Sequence, residues 1–300
     1  MTLPERFNPL VNKIKHLRND PRISKVLVII SIIYPIALIY FSRNEFMDLD
    51  WSTFLEIFLI CILIYYVSMS LQNISWSLIV DGSLSNFWFN SSVYFQTILM
   101  KRLPGGVWHW LGRANLYDTQ QGNERHSISR ANLIEWLLLI LCGMSGYAFA
   151  LNLWIGSAGI LLTTIVAFFL LIREDRNWIS ALSLAILLIF TYLICWLLGG
   201  LILHWLLLSV NAPGYVSFHS SFGIWCLSSA IGMFFYFFPS GALIRDFSLS
   251  AMLSKQYEPA KFLLVILQVR IIFLAADYLW SFLSLQFVKL IMSKQTPKAS

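Results

Sequence analysis

Two arginines stand a few residues beyond a break in an apolar run. Arg113 follows Leu103-Pro104-Gly105-Gly106 and the aromatic stretch Trp108-His109-Trp110, and Arg245 follows Pro239-Ser240-Gly241 and precedes Asp246. Proline lacks an amide donor and glycine has little backbone preference, so Pro104 and Pro239 are expected to interrupt helices. Beside hydrocarbon such a break leaves amides that only protein, water or a ligand can satisfy. A guanidinium offers a planar fork of donors that suits phosphate oxygens and keeps its charge when buried. Amides freed at a Gly-rich turn or a helix start add to anion affinity. Arg113, Arg245, Gly105, Gly106, Ser240 and Gly241 are therefore the expected binders of a phosphate group, with His109 as a further donor. The other reading of the two arginines is that they snorkel to interfacial phosphates.

Glu135, Arg270 and Asp277 lie inside apolar runs. A charge at the bilayer centre costs ~2.5–3.5 kcal/mol on the lenient insertion scale, so none of the three is expected to face lipid. A displacement of 135 residues superposes Pro104 on Pro239, Gly106 on Gly241 and Glu135 on Arg270. Repeats with helix breaks at matching points mark binding sites in transporters. Glu135 and Arg270 are expected to pair across the two halves and, with Asp246 and Asp277, to line a polar path. A purely structural ion pair is the alternative.

The elements that position these residues emerge from composition and periodicity. Of 300 residues 58% are hydrophobic and 12% charged, about half the charged share of a soluble domain. Mean hydropathy is +0.71. The fold class is all-α, a polytopic transmembrane helical bundle with about seven full spans and two broken or re-entrant segments. The net charge of +6 sits at the ends of apolar runs, which argues against a nucleic-acid surface. Residues 1–22 read as a basic cytoplasmic segment able to form an interfacial helix. Residues 23–292 read as one membrane domain with weak repeat halves at about 23–172 and 178–292. Residues 293–300 read as a loose polar tail. Spans are expected at 23–42, 54–80, 131–151 and 154–172, and 86–100 is expected to enter and return. The run 178–210 reads as one tilted helix loosened at Gly199-Gly200. If 215–253 re-enters as well, three crossings separate the two breaks and the halves are inverted. Gln72, Asn73 and Trp76 are expected to bond to neighbouring helices. Cys61, Cys142, Cys195 and Cys226 read as small buried apolar residues.

Enzymatic signatures are sparse. There is no metal-ligand spacing, no phosphate-binding glycine loop and no nucleophile elbow. No metal or cofactor is expected. Asp48-Leu49-Asp50 is the one hint of a glycosyltransferase metal site, in a loop too short to build one.

The stretch from Leu103-Pro104-Gly105-Gly106 through Arg113, followed by Arg130 and Glu135, resembles the first signature of the lysylphosphatidylglycerol synthase transmembrane (flippase-like) family. Pro239-Ser240-Gly241 to Arg245-Asp246, followed by Arg270, resembles its second. Asp246 stands where that family often has Glu, and Trp136 where it often has Arg. The resemblance implies the membrane half alone, since no aminoacyl-transferase domain follows the last span here. The basic N-terminus and the acidic loop after the first expected span place the N-terminus in the cytoplasm, and the resemblance implies an inner-membrane protein that does not transfer lysine. Its expected activity is moving an anionic lipid, or a polyprenyl-phosphate-linked glycan precursor, between leaflets. The expected partners are such lipids and a lipid or glycan biosynthetic enzyme, with no nucleic acid. The alternatives are a non-catalytic membrane partner of a lipid-modifying or polysaccharide-assembly enzyme and, behind it, a membrane glycosyltransferase.

Overall fold

The structure, a computed structural model, describes residues 33, 36–48, 50–102, 108–121, 125–172, 177–210, 217–235 and 241–295. Among these the chain is all-helical. It forms α1 (Arg43–Met47), α2 (Trp51–Asp81), α3 (Phe87–Ile98) and a 3₁₀ turn (Leu99–Arg102). It continues with α4 (Trp108–Gln121), α5 (Arg125–Leu151), α6 (Leu153–Leu171) and α7 (Trp178–Ser209). It closes with α8 (Phe218–Phe234), α9 (Gly241–Leu253) and α10 (Pro259–Gln295). Five of these helices are long and apolar enough to cross a membrane: α2, α5 over Ile128–Leu151, α6, α7, and α10 over Pro259–Val288. The described residues thus supply five of the roughly seven expected spans. Most of the expected first span, and Pro104, Gly105, Gly106, Pro239 and Ser240, lie outside the described residues. Residues 293–295, expected in a loose tail, continue α10.

Short polar residues set the helix starts. Asp50 opens α2: its carboxylate accepts from the Ser52 amide at 3.1 Å and from the Ser52 and Thr53 hydroxyls at 2.7 and 2.6 Å. These donors hold the Asp50 carboxyl down at about 2. Both of its oxygens therefore serve a helix cap. Asn152 alone separates α5 from α6, and its side chain accepts from the Trp154 and Ile155 amides at 2.9 and 3.4 Å. Gly82 ends α2 with φ 73°, a left-handed conformation that suits glycine.

Two helices are short and deep. At 12 residues, α3 is about 18 Å long, against a hydrocarbon core of about 30 Å. It buries Asn90, Ser91 and Thr97, and their polar groups are satisfied within the bundle. Asn90 donates to Asp81 at 2.7 Å, and Asn73 donates to Ser91 at 2.8 Å. The 17-residue α8 is its counterpart.

The packing repeats. In the first set α3 packs on α2 and α4, and α5 on α4 and α2; in the second, α8 packs on α7 and α9, and α10 on α9 and α7. Across the sets α2 meets α7, α3 meets α10, α8 meets α5, α2 meets α10, and α7 meets α5. Each of these contacts of α2–α5 thus has a counterpart made by α7–α10, the pattern of a two-fold arrangement. Helix α6 packs on α5 and α7 and joins the sets. The repeating unit therefore ends at α5, not at residue 172.

Gly199 and Gly200 do not loosen α7, which is continuous over 32 residues. They let α8 approach. A Cβ on Gly199 would lie 2.1 Å from Nε1 of Trp225, and one on Gly200 would lie 3.0 Å from the Phe222 backbone.

Two outcomes are expected. Gly199→Ala destabilises the protein by about 1–3 kcal/mol, read as a lower Tm in detergent, because Trp225 must move to admit the methyl. Asp50→Asn keeps the α2 cap and Asp50→Ala loses it, read as faster amide exchange at Ser52 and Thr53 in the alanine variant alone. Because the Asp50 carboxyl is held below its ordinary value of 3.8, the cap's contribution is present above pH ~4 and fades as pH falls through about 2.

Candidate functional site

Helix α4 is amphipathic, and His109, Arg113 and Tyr117 form its buried stripe at a spacing of four. Arg113 is only 1% exposed. Its Nη1 donates to Glu135 at 2.5 Å and to Asn132 at 3.1 Å, both on α5. Its guanidinium carbon lies 4.1 Å from the ring centre of Trp76 on α2 and 4.5 Å from that of Tyr94 on α3. Contact with an aromatic face is worth about 2 kcal/mol or more when desolvated, which offsets part of the cost of burial. Tyr117, one turn on, donates to Asn90 at 2.7 Å and accepts from Trp76 Nε1 at 3.2 Å. One face of a 14-residue helix thus ties α2, α3 and α5 together.

Beside this pair lies a partly open cavity of about 90 Å³, lined by Gln72, His109, Arg113, Glu135 and Trp136 with Trp110, Leu139 and Met233. His109 is 5% exposed and Trp108 48%, so the Trp-His-Trp stretch is split: Trp108 faces outward and His109 inward. Trp136 donates to the Met233 carbonyl at 2.9 Å and bridges α5 to α8. Nε of Arg113 is buried without a hydrogen-bond partner.

A second cluster joins α9 and α10. Asp246, fully buried, accepts from Nε and Nη2 of Arg245 at 3.0 Å each, and from Nε of Arg270. Arg245 lies 5.8 Å from the ring centre of Trp225 and 5.6 Å from that of Phe273. Asp277, two turns beyond Arg270, accepts from the Tyr65 hydroxyl at 2.6 Å. Gly241 begins α9.

The expected pairing of Glu135 with Arg270 does not form. Glu135 holds Arg113, and Arg270 holds Asp246. Each long helix pairs with the short helix that precedes it, because a short linker brings that partner close at little entropic cost. The equivalence of Glu135 and Arg270 survives in another form: both fix a short helix, with the sign of charge exchanged. Among the described residues Arg113 lines the cavity, and Arg245 lies against Trp225 and Phe273. Tyr65 meets the second cluster and Trp76 the first, eleven residues and about 16 Å apart along α2. Neither arginine snorkels freely, since Arg113 is enclosed and the Arg245 side chain is 13% exposed.

Gln72, Asn73 and Trp76 all bond to neighbouring helices as expected, Gln72 accepting from the Tyr94 hydroxyl at 3.4 Å while it also lines the cavity. Tyr117, Asn132 and Tyr94 were not apparent as site residues from the motifs alone. The usable signals were the spacing 109, 113, 117 on α4, and 132, 135, 136, 139 on one face of α5. All four cysteines are buried free thiols. No family model matches this chain, and no curated protein matches it.

Removing one member of the buried pair leaves the other uncompensated. Arg113→Met is expected to cost about 3–5 kcal/mol of stability, and Glu135→Leu added to it should recover much of the loss. Thermal unfolding of the single and double variants in detergent measures this. Strictly additive losses would show that the pair is not the source.

Proposed function

We propose that this chain is a flippase-like inner-membrane protein that moves an anionic lipid, or a polyprenyl-phosphate-linked glycan precursor, between leaflets. The observation that carries the reading is Arg113: a guanidinium 1% exposed, set against two aromatic rings, lining a cavity within a bundle of apolar helices. Glu135 lies on α5 within Ile128–Leu151, a stretch long and apolar enough to cross a membrane. A cation kept against it is functional by default, because insertion of a charge is costly and a neutral core would pack without it. A guanidinium fork, an imidazole and an amide around a headgroup-sized space suit a phosphate group.

The repeated packing of α2–α5 and α7–α10 supports the same reading. In transporters of known type, related halves with interrupted helices rock about a central site. Here the short helices α4 and α9, each leading out of a Pro-Gly segment, are the parts we assign to gating. We take α3 and α8 as re-entrant, which inverts the second half relative to the first. The N-terminus is then cytoplasmic. The resemblance to the lysylphosphatidylglycerol synthase transmembrane family rests on the motifs around Arg113 and Arg245 and points to the same lipid class.

The test is reconstitution of the purified chain in phosphatidylcholine vesicles carrying fluorescent phosphatidylglycerol. Leaflet exchange should rise above that of empty vesicles. Arg245→Ala should lower it roughly tenfold or more, the loss expected for one hydrogen bond to a charged group, without lowering folded yield. Folded protein that moves no lipid and co-purifies with a biosynthetic enzyme would replace translocation with the partner role.

A further inference from the structure

We infer that the Arg113 cavity takes up one proton, on Glu135, for each phosphate-type anion it binds. The inference deepens the translocation reading and rests on it: it supplies the coupling ion. The cavity holds about 90 Å³, room for about three waters at ~30 Å³ each or for one phosphate group. An anion entering it meets Arg113. That guanidinium already donates to Glu135 at 2.5 Å and to Asn132 at 3.1 Å, and it is balanced by one carboxylate.

Net charge sets the response of the site. With the cavity empty of anion, Arg113 and Glu135 sum to zero. An added anion makes the site net negative, in surroundings that disfavour uncompensated charge. Protonating Glu135 restores neutrality: guanidinium and anion then balance, and the carboxylic acid can donate its O–H to a phosphate oxygen. The proton comes from the aqueous phase through the open side of the cavity. When the anion leaves, the proton leaves and the ion pair re-forms. Both states are neutral, so neither is trapped by the low dielectric, and the site can cycle.

The groups facing Glu135 fit this assignment. Helix α4 presents Arg113 and His109, with Tyr117 farther off. Helix α3 contributes Tyr94 and α7 contributes Tyr192, both neutral phenols within electrostatic reach. From α2 come Trp76 and Gln72, and from α8 comes Met233. No titratable residue occurs in α6. His109 is the imidazole lining the cavity and the alternative proton acceptor there. The second cluster lacks this arrangement, because Asp246 is shared by two guanidiniums and is not released when one of them turns to an anion.

The experiment is titration calorimetry of the full chain in detergent with dihexanoyl-phosphatidylglycerol, repeated in buffers of different ionisation enthalpy. This phosphodiester does not titrate near neutral pH, so any proton exchanged belongs to the protein. The expected result is uptake of about one proton per ligand in the unmodified chain and of none in Glu135→Gln. Binding without proton uptake overturns the inference and leaves the translocation reading standing. Uptake that persists in Glu135→Gln and vanishes in His109→Gln overturns the assignment to Glu135. No binding by the folded, unmodified chain overturns the anion site itself, and with it both readings. Should Glu135→Gln not fold, the proton count of the unmodified chain and of His109→Gln still decides the matter.

Discussion

A guanidinium inside an apolar interior has to be accompanied by a carboxylate, by aromatic faces or by both, and the rest of this structure is built around that requirement. Arg113 cannot shed its proton, so its neighbours carry the adjustment. Glu135 and Asn132 reach it from α5, while Trp76 and Tyr94 cover it from α2 and α3. Four helices thereby share one side chain. The short helix α4 has little apolar surface to hold it, and the buried stripe through His109, Arg113 and Tyr117 takes that role.

The same requirement recurs at the other end of the chain with the signs exchanged. There the short helix α9 brings Asp246, and the long helix α10 supplies Arg270. The two-fold packing of α2–α5 and α7–α10 makes this correspondence more than a chance of spacing. The repeat is nearly invisible in the residues themselves: the packing is kept while the side chains that fill it differ.

Aromatic and small residues complete the arrangement. Gly199 and Gly200 admit Trp225 and Phe222, so α8 sits close against α7. Trp136 donates to the Met233 carbonyl, and both residues line the cavity. Asp50, one of the two aspartates that hinted at sugar-transfer chemistry, is occupied in capping α2.

By itself the sequence determined the class and most of the helices, because apolar runs of about 20 residues have few alternatives in water or lipid. The ends of α2, α6 and α7 fall within a few residues of where hydropathy places them. The burial of Glu135 and Asp277 was also legible, since lone charges in such runs cannot face hydrocarbon, whereas that of Arg113 was not separable from snorkelling. Which of the charges pair was not legible. Glu135 and Arg270 are equivalent by position, yet each binds the short helix of its own half, and Tyr65 turns out to hold Asp277. Partner choice depends on the relative rotation and depth of packed helices. Those are set jointly by many side chains along each interface, and no single stretch of sequence encodes them.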